Sequence, residues 1–466
     1  MLPNKSIALV SVFSVLLGAA ASAADSEFQA HMAAWQAPVP VDRANLNPRS
    51  PSDRTPRSRP ASPAVAPIAW DETAAVEQPY YEPDPSYLDE SSFGAGTCGL
   101  GGCGPGCGTC CDPCTGGYCT GCSTLVWARF EALLWWQDGR ELPPLVTTDP
   151  ATEPFATAGI LPDATILFGN GTEEGDMSAG ARVDIGTWTD TQQCYGVGWR
   201  FYGLGSDGLG FRSTSVQNPV LAIPFDTINP VANDALVISY PGLREGEINF
   251  VGNSEVFGSD LYGRFLLCRN CISRIDFITG YHFSRVDDQI VMRSRFTDVD
   301  PQSVDFGAVT TVVDRFAGQN DFHGGIVGFI WERDCGCWNT QLLARTALGG
   351  MRERMRIDGS FTFDTLAAPP VVTPGGLFTT PTNIGTYGQT EFATVTEFGA
   401  TAAYRIGRCT QITLGYTFIL WSSVQRPSDA IDPVIDLGNN PTRPAFAFNP
   451  ASYWVQGLNV GFEFKF

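Results

Sequence analysis

The sequence predicts an all-β protein: a transmembrane antiparallel up-and-down β-barrel of about ten strands behind a disordered, cysteine-rich N-terminal tail. Three observations predict it. Segments of residues 124–466 alternate polar and apolar side chains with period two, as a strand does between lipid and a wet lumen. The connections between these segments alternate short and long. The chain opens with an export signal, and no later stretch has the roughly 18 uncharged apolar residues of a spanning helix.

Residues 1–24 read as a signal peptide: Lys5 supplies the positive start, Ile7 to Ala20 the short apolar run, and Ala21-Ser22-Ala23 the small-residue cleavage motif. Residues 25–93 are rich in Pro, Ala, Ser and acid, with Arg43, Arg49, Arg54, Arg57 and Arg59 interleaved among prolines. Such a composition buries no core and reads as a flexible tail; its basic stretch is either a solvated linker or a contact for an anionic cell-wall polymer. Residues 94–123 carry Cys98, Cys103, Cys107, Cys110, Cys111, Cys114, Cys119 and Cys122. After an export signal this density favours disulfides over a metal site.

The barrel occupies 124–466. At its end Leu458, Val460, Phe462, Phe464 and Phe466 alternate with Asn459, Gly461, Glu463 and Lys465, and the same alternation recurs near 124–136, 179–188, 195–204, 257–267, 272–284, 322–332, 338–349, 392–405 and 410–421. Each segment approaches the nine to eleven residues of a tilted spanning strand. Short connections fall near 189–194, 268–271, 333–337 and 406–409, and long ones near 137–178, 205–256, 285–321, 350–391 and 422–452. Short periplasmic turns and long external loops are the habit of outer-membrane barrels, and an even strand count returns Phe466 to the side on which the barrel begins.

Side-chain roles follow from this topology. Cys194, Cys268, Cys271, Cys335, Cys337 and Cys409 all fall at short turns, facing the periplasm beside the tail. Disulfides to the tail and disulfides among the turns are both open; Cys335 and Cys337 are too close in sequence for an unstrained mutual bridge. Trp135, Trp136, Trp421 and Trp454 are expected in an outer aromatic girdle and Trp188, Trp331 and Trp338 in an inner one. The lumen is expected to be lined by Arg129, Glu131, Arg182, Asp184, Arg200, Arg264, Arg274, Asp276, Arg345, Glu397, Glu463 and Lys465. Charges withdrawn from water need partners. In a barrel this narrow the mixed signs make either a structural filling or a narrow polar path. Arg352, Arg354 and Arg356 share a face just beyond a strand, with Arg293 and Arg295 on a neighbouring extension; lipid phosphates and acidic loops both suit such a row.

Composition and motifs exclude other classes. The chain has 29 Lys+Arg against 49 Asp+Glu, a net charge of −20, which opposes nucleic-acid binding. His31, His282 and His323 form no metal spacing, and no cofactor is expected. No G-x-S-x-G stands in a strand–turn–helix context. His323 is the better candidate for a hydrolase, although a polar residue at a strand end is its simpler reading.

The segment 124–466 resembles the type-seven β-barrel porin family of bacterial outer-membrane proteins. The resemblance is carried by Glu131-Ala132-Leu133-Leu134-Trp135-Trp136, Leu142-Pro143-Pro144-Leu145, Thr165-Ile166-Leu167-Phe168-Gly169, Gly180 to Trp188, Asp314-Arg315-Phe316, Asn320 to Gly325, Asn383-Ile384-Gly385, Gly415-Tyr416-Thr417-Phe418 and Val424-Gln425-Arg426-Pro427. It implies fold and outer-membrane location, and brings no substrate. The terminal Phe462, Phe464 and Phe466 are similar to the C-terminal aromatic signature that barrel-assembly machinery reads. The expected partners are thus outer-membrane lipids and that machinery, with the tail in the periplasm. Function is expected to be a narrow channel for small polar solutes or ions, with a filled barrel that anchors the envelope through its tail as the alternative.

Overall fold

A computed structural model describes residues 125–466, except 174, 176, 271, 366, 367 and the side chain of residue 207. The expectations for the signal peptide, the tail and the cysteines at 98–122 and 271 therefore lie outside the described residues. Ten strands pair antiparallel in chain order: β1 (Val126–Gln137), β2 (Ser178–Trp188), β3 (Tyr195–Thr214), β4 (Arg244–Arg269), β5 (Ser273–Asp298), β6 (Val309–Cys335), β7 (Trp338–Thr365), β8 (Gly385–Arg405), β9 (Thr410–Val424) and β10 (Ala451–Lys465). β10 pairs back onto β1, from Trp127↔Lys465 to Gln137↔Val455, and closes the ring. Closure matters because it leaves no open edge of unpaired backbone amides.

The ten expected segments all sit in this ring, but β4 to β7 run 26–28 residues, far beyond the expected lengths. Much of 205–256, 285–321 and 350–391, expected as long connections, is strand. The reason is an inversion of polarity along each strand. On β5 the outward side chains are first Ile275, Phe277, Tyr281 and Phe283, then Arg285, Asp287, Gln289, Arg293 and Arg295. Its inward side chains run the other way, from Arg274, Asp276 and His282 to Ile290, Met292 and Phe296. Period two persists while the medium on each face changes. A search for outward apolar residues alone stops at the crossover.

The apolar inward half meets a cap. Strands Val146–Thr148, Thr165–Phe168, Leu221–Ile228, Ala232–Ser239 and Val434–Asp436, drawn from three different connections, form one small sheet at the long-loop end. Val146, Phe168, Leu221 and Ile238 of the cap share one buried cluster with Phe250 and Phe316 of the ring. Burying a side chain of this size is worth about 1.5–3 kcal/mol, which is why these connections fold. Asp314 on β6 ties another connection down: its carboxylate accepts from the amides of Leu377, Phe378 and Thr379 at 3.2, 2.9 and 2.9 Å and from the Thr379 hydroxyl at 2.7 Å.

Inward aromatic rings lie over glycines on the neighbouring strand. Trp127 faces Gly186 and Tyr202 faces Gly258. A Cβ would stand 2.0 Å from the Trp127 ring at Gly186 and 2.4 Å from the Tyr202 ring at Gly258. Glycine here gives the ring room to lie flat against the wall.

The tryptophan expectation needs correction. Trp136, Trp331, Trp338 and Trp454 are at least partly exposed on the outer face. Trp135 and Trp421 are fully buried inside the ring and Trp188 is also buried. Each has inward parity, and their indoles are needed there: Trp135 donates to Asn459 at 2.7 Å and Trp421 to Ser284 at 2.9 Å. Cys194, Cys268, Cys337 and Cys409 are in disulfide linkage. Cys335 is a free, exposed thiol, so its expectation as a disulfide partner is not met: it ends β6 with its side chain in solvent.

Candidate functional site: the charged interior

The twelve residues expected to line the lumen all take inward positions, and nine of them are buried: Glu131, Arg182, Asp184, Arg200, Arg264, Asp276, Arg345, Glu397 and Glu463. Arg129, Arg274 and Lys465 are half-buried. Register explains how they meet. Glu131 lies opposite Arg182 on β2, Asp184 opposite Arg200 on β3, and Arg345 opposite Glu397 on β8. Inward carboxylates thus face inward guanidinium groups across single strand gaps.

Two clusters result. In the middle of the ring Arg129, Arg182, Arg200 and Arg345 meet Glu131, Asp184, Asp260 and Glu397. Arg182 donates to Glu131 at 2.6 Å, and Arg200 pairs with Asp184 at 2.9 Å. Glu397 gathers Arg182 at 3.8 Å, Arg200 at 3.3 Å and Arg345 at 2.6 Å from three directions. Arg345 also reaches Asp260 at 2.6 Å, and Asp260 holds His282. Towards the short turns Arg264, Arg274 and Lys465 meet Asp276, Glu332 and Glu463. Arg264 pairs with Glu332 at 2.8 Å and Arg274 with Asp276 at 2.7 Å; Lys465 lies 3.5 Å from Glu463. Arg129 links the clusters through Glu463 at 3.3 Å. Trp188 stacks under Arg264 and Arg274, 4.9 and 4.3 Å from its ring centre.

Within each cluster cations and carboxylates are equal in number, so neither cluster offers a net charge to draw ions of one sign. The space is small as well. Among Arg129, Glu131, Arg182, Arg200, Glu397 and Thr417 about 20 Å³ remains, room for about one water. A vestibule of about 380 Å³ lies at the short-turn end between Trp188, Arg264, Glu332 and Lys465.

Above the charges an apolar cluster occupies the interior. Leu133, Trp135, Phe322, Met351, Trp421 and Val455 pack in one buried cluster. Beyond them Arg140 and Arg426, both from long connections, converge on Asp288 of β5 at 3.1 and 3.2 Å. The cap core follows. The interior is thus filled at four successive levels.

Sequence reasoning missed Asp260, Tyr262, Glu332 and Gln341 in these clusters. Parity was a sufficient signal for all four: Asp260 and Tyr262 share the face of Arg264, and Glu332 and Gln341 lie opposite each other between β6 and β7. No periodicity pointed to Arg140 or Arg426, which lie outside the ring strands. His323 is placed on the outer face, its Nδ1 2.5 Å from the Tyr281 hydroxyl, remote from the buried His282–Asp260 pair. Phe462 and Phe466 are exposed on the outer face, and Phe464 stacks on Phe466 with ring centres 6.2 Å apart.

A closed antiparallel ring with an apolar outer band and a charged interior has the build of an outer-membrane β-barrel. The chain belongs to the family described as Putative beta barrel porin-7 (BBP7), whose model matches residues 127–466. Comparison with curated proteins finds no match. Among solved structures it is similar to the outer membrane protease OmpT from Escherichia coli, at 10% identity and a TM-score of 0.37, covering 75% of this chain and 99% of that one. It is also similar to the P. putida toluene transporter TodX, at 9% identity and a TM-score of 0.17, covering 73% and 90%. A bacterial polysaccharide outer membrane secretin matches at 8% identity and a TM-score of 0.15, covering 74% and 99%.

Proposed function

We propose that this protein is an outer-membrane barrel with a closed lumen, which serves as a structural element of the envelope rather than as a solute channel. The observation that carries the reading is the interior filling: balanced ion-pair clusters leaving about 20 Å³, then an apolar layer, then a folded cap. The porin name of the family is a fold-level label. The outer band of Phe265, Tyr281, Phe329, Leu342, Leu414 and Leu458, all exposed, supports burial in hydrocarbon. The short-turn end, where the ring begins at Leu125 and where Cys194, Cys268, Cys337 and Cys409 are oxidised, supports a periplasmic orientation of that end. In this reading the tail tethers barrel to envelope.

The test is conductance of the purified full-length chain in a planar bilayer. The expected result is insertion without unitary steps. Reproducible steps would establish the second reading, a narrow path for ions or small polar solutes, which the vestibule at the short-turn end favours.

A further inference from the structure

The arginine row left unassigned by the sequence is part of β7. Above the outward row Ser259–Phe283–His323–Gly350–Phe392, the next row across β4 to β8 is Phe257–Arg285–Asp321–Arg352–Thr390, then Glu255–Asp287–Gln319–Arg354–Gly388, then Asn253–Gln289–Ala317–Arg356–Thr386. The outer face turns from apolar to charged within one row, with the acids Glu255, Asp287 and Asp321 on β4 to β6 and the arginines Arg352, Arg354 and Arg356 aligned on β7. Two residues along a strand advance about 6.6 Å, or about 5 Å in height at a tilt near 40°. Arg352 and Arg354 therefore stand about 5 and 10 Å above the last apolar row. The headgroup layer adds about 5–8 Å to each side of the hydrocarbon, so Arg352 stands within it and Arg354 just above it, within reach of its phosphates.

The charges there are available. Asp321, the acid beside Arg352, is held by Arg285 at 2.5 Å. Arg354 reaches only the neutral Gln319, at 3.3 Å. Among the described residues Arg352 has no acidic partner, and its side chain is exposed. On the β8 side the neighbours are Thr390, Gly388 and Thr386, which bring hydroxyls and no carboxylate. The acids of these rows lie on β4 to β6, and Arg356 pairs with Asp358 at 3.0 Å, so Arg352 and Arg354 on β7 are the two cations left facing outward beside β8. A planar guanidinium presents paired donors that suit phosphate oxygens.

We infer that Arg352 and Arg354, flanked by Thr390, bind the phosphate of an anionic membrane lipid in the leaflet next to the cap, its acyl chains lying against Leu348 and Phe392 below. The inference rests on the membrane reading above. It fixes the height of the barrel by a specific contact at one side, between β6 and β8.

The experiment separates the two. Full-length protein is first offered phosphatidylcholine vesicles, and protease protection of the ring strands reports insertion. Failure to insert removes the membrane reading. Inserted protein is then extracted in neutral detergent and titrated with phosphatidic acid or phosphatidylcholine, with bound lipid counted by native mass spectrometry. The expected result is at least tenfold preference for phosphatidic acid, falling at least fivefold in Arg352→Gln/Arg354→Gln and unchanged in Arg293→Gln/Arg295→Gln, which alters arginines several rows higher. Should the double variant not fold, the single variants Arg352→Gln and Arg354→Gln are each expected to lose two- to threefold. Equal retention of both lipids by the unaltered protein, or a preference untouched by these variants, overturns the inference. Complete displacement of the lipid by equimolar inorganic phosphate would assign the site to a free anion and overturn it too.

Discussion

Replacing Glu397 by glutamine tests the dry interior directly. The amide keeps the shape and removes the charge. Glu397 lies within 3.8 Å of Arg182, 3.3 Å of Arg200 and 2.6 Å of Arg345, so four cations would face three carboxylates. Each of the remaining acids is already engaged: Glu131 by Arg182, Asp184 by Arg200 and Asp260 by Arg345 and His282. Nothing nearby can take over. Removing one partner from a buried pair costs about 3–5 kcal/mol, because an uncompensated charge stays behind. In a water-filled lumen the same change costs about 1 kcal/mol or less. At about 2 °C per kcal/mol for a chain of this size, the expected fall in unfolding temperature is about 6–10 °C. The assay is circular dichroism of the protein in detergent during heating, at low and high salt. A fall no larger than about 2 °C, or one that shrinks strongly in salt, would refute the argument and point to a wet lumen.

The cap and the wall make further predictions. Gly258→Val should push the Tyr202 ring off the wall and cost about 1–3 kcal/mol, seen as a lower denaturant midpoint, whereas Gly208→Val, with open space around a Cβ, should cost little. Asp314→Ala should orphan three amides and a hydroxyl, destabilise by about 2–4 kcal/mol, and speed amide exchange across 376–380. Burial raises the pKa of Asp429 in the cap to about 6 from its usual 3.8. The folded state therefore holds that proton more tightly than the unfolded chain, and its stabilising contribution, complete at low pH, is lost as pH rises through about 6. Asp429→Asn should accordingly raise stability at pH 8 by about 1 kcal/mol, after discounting for partial exposure, and change little at pH 4. Non-reducing peptide mapping should recover Cys335 as a free thiol; a bridge at Cys335 would contradict its place at the end of β6.

Much of this protein was legible in its sequence, because period-two alternation is a local property. A residue's parity decides which face of a strand it joins, whatever the strand pairs with. Ten strand positions, the end at which the turn cysteines gather, and the inward placement of residues such as Glu131, Arg182 and Glu397 all follow from parity. What each face meets is not local. Ile290 and Met292 are inward and apolar only because a sheet assembled from three distant connections fills that end of the ring, and Arg293 and Arg295 are outward and charged because the wall there stands in water. Arg140 and Arg426 share Asp288 across 148 and 138 residues of sequence, a meeting that loop composition does not encode. Trp135 and Trp421 show the same limit: their position near strand ends suited a girdle, and only the closed ring places their indoles against Asn459 and Ser284. Alternation specifies sides, and only closure of the chain on itself specifies neighbours and solvent.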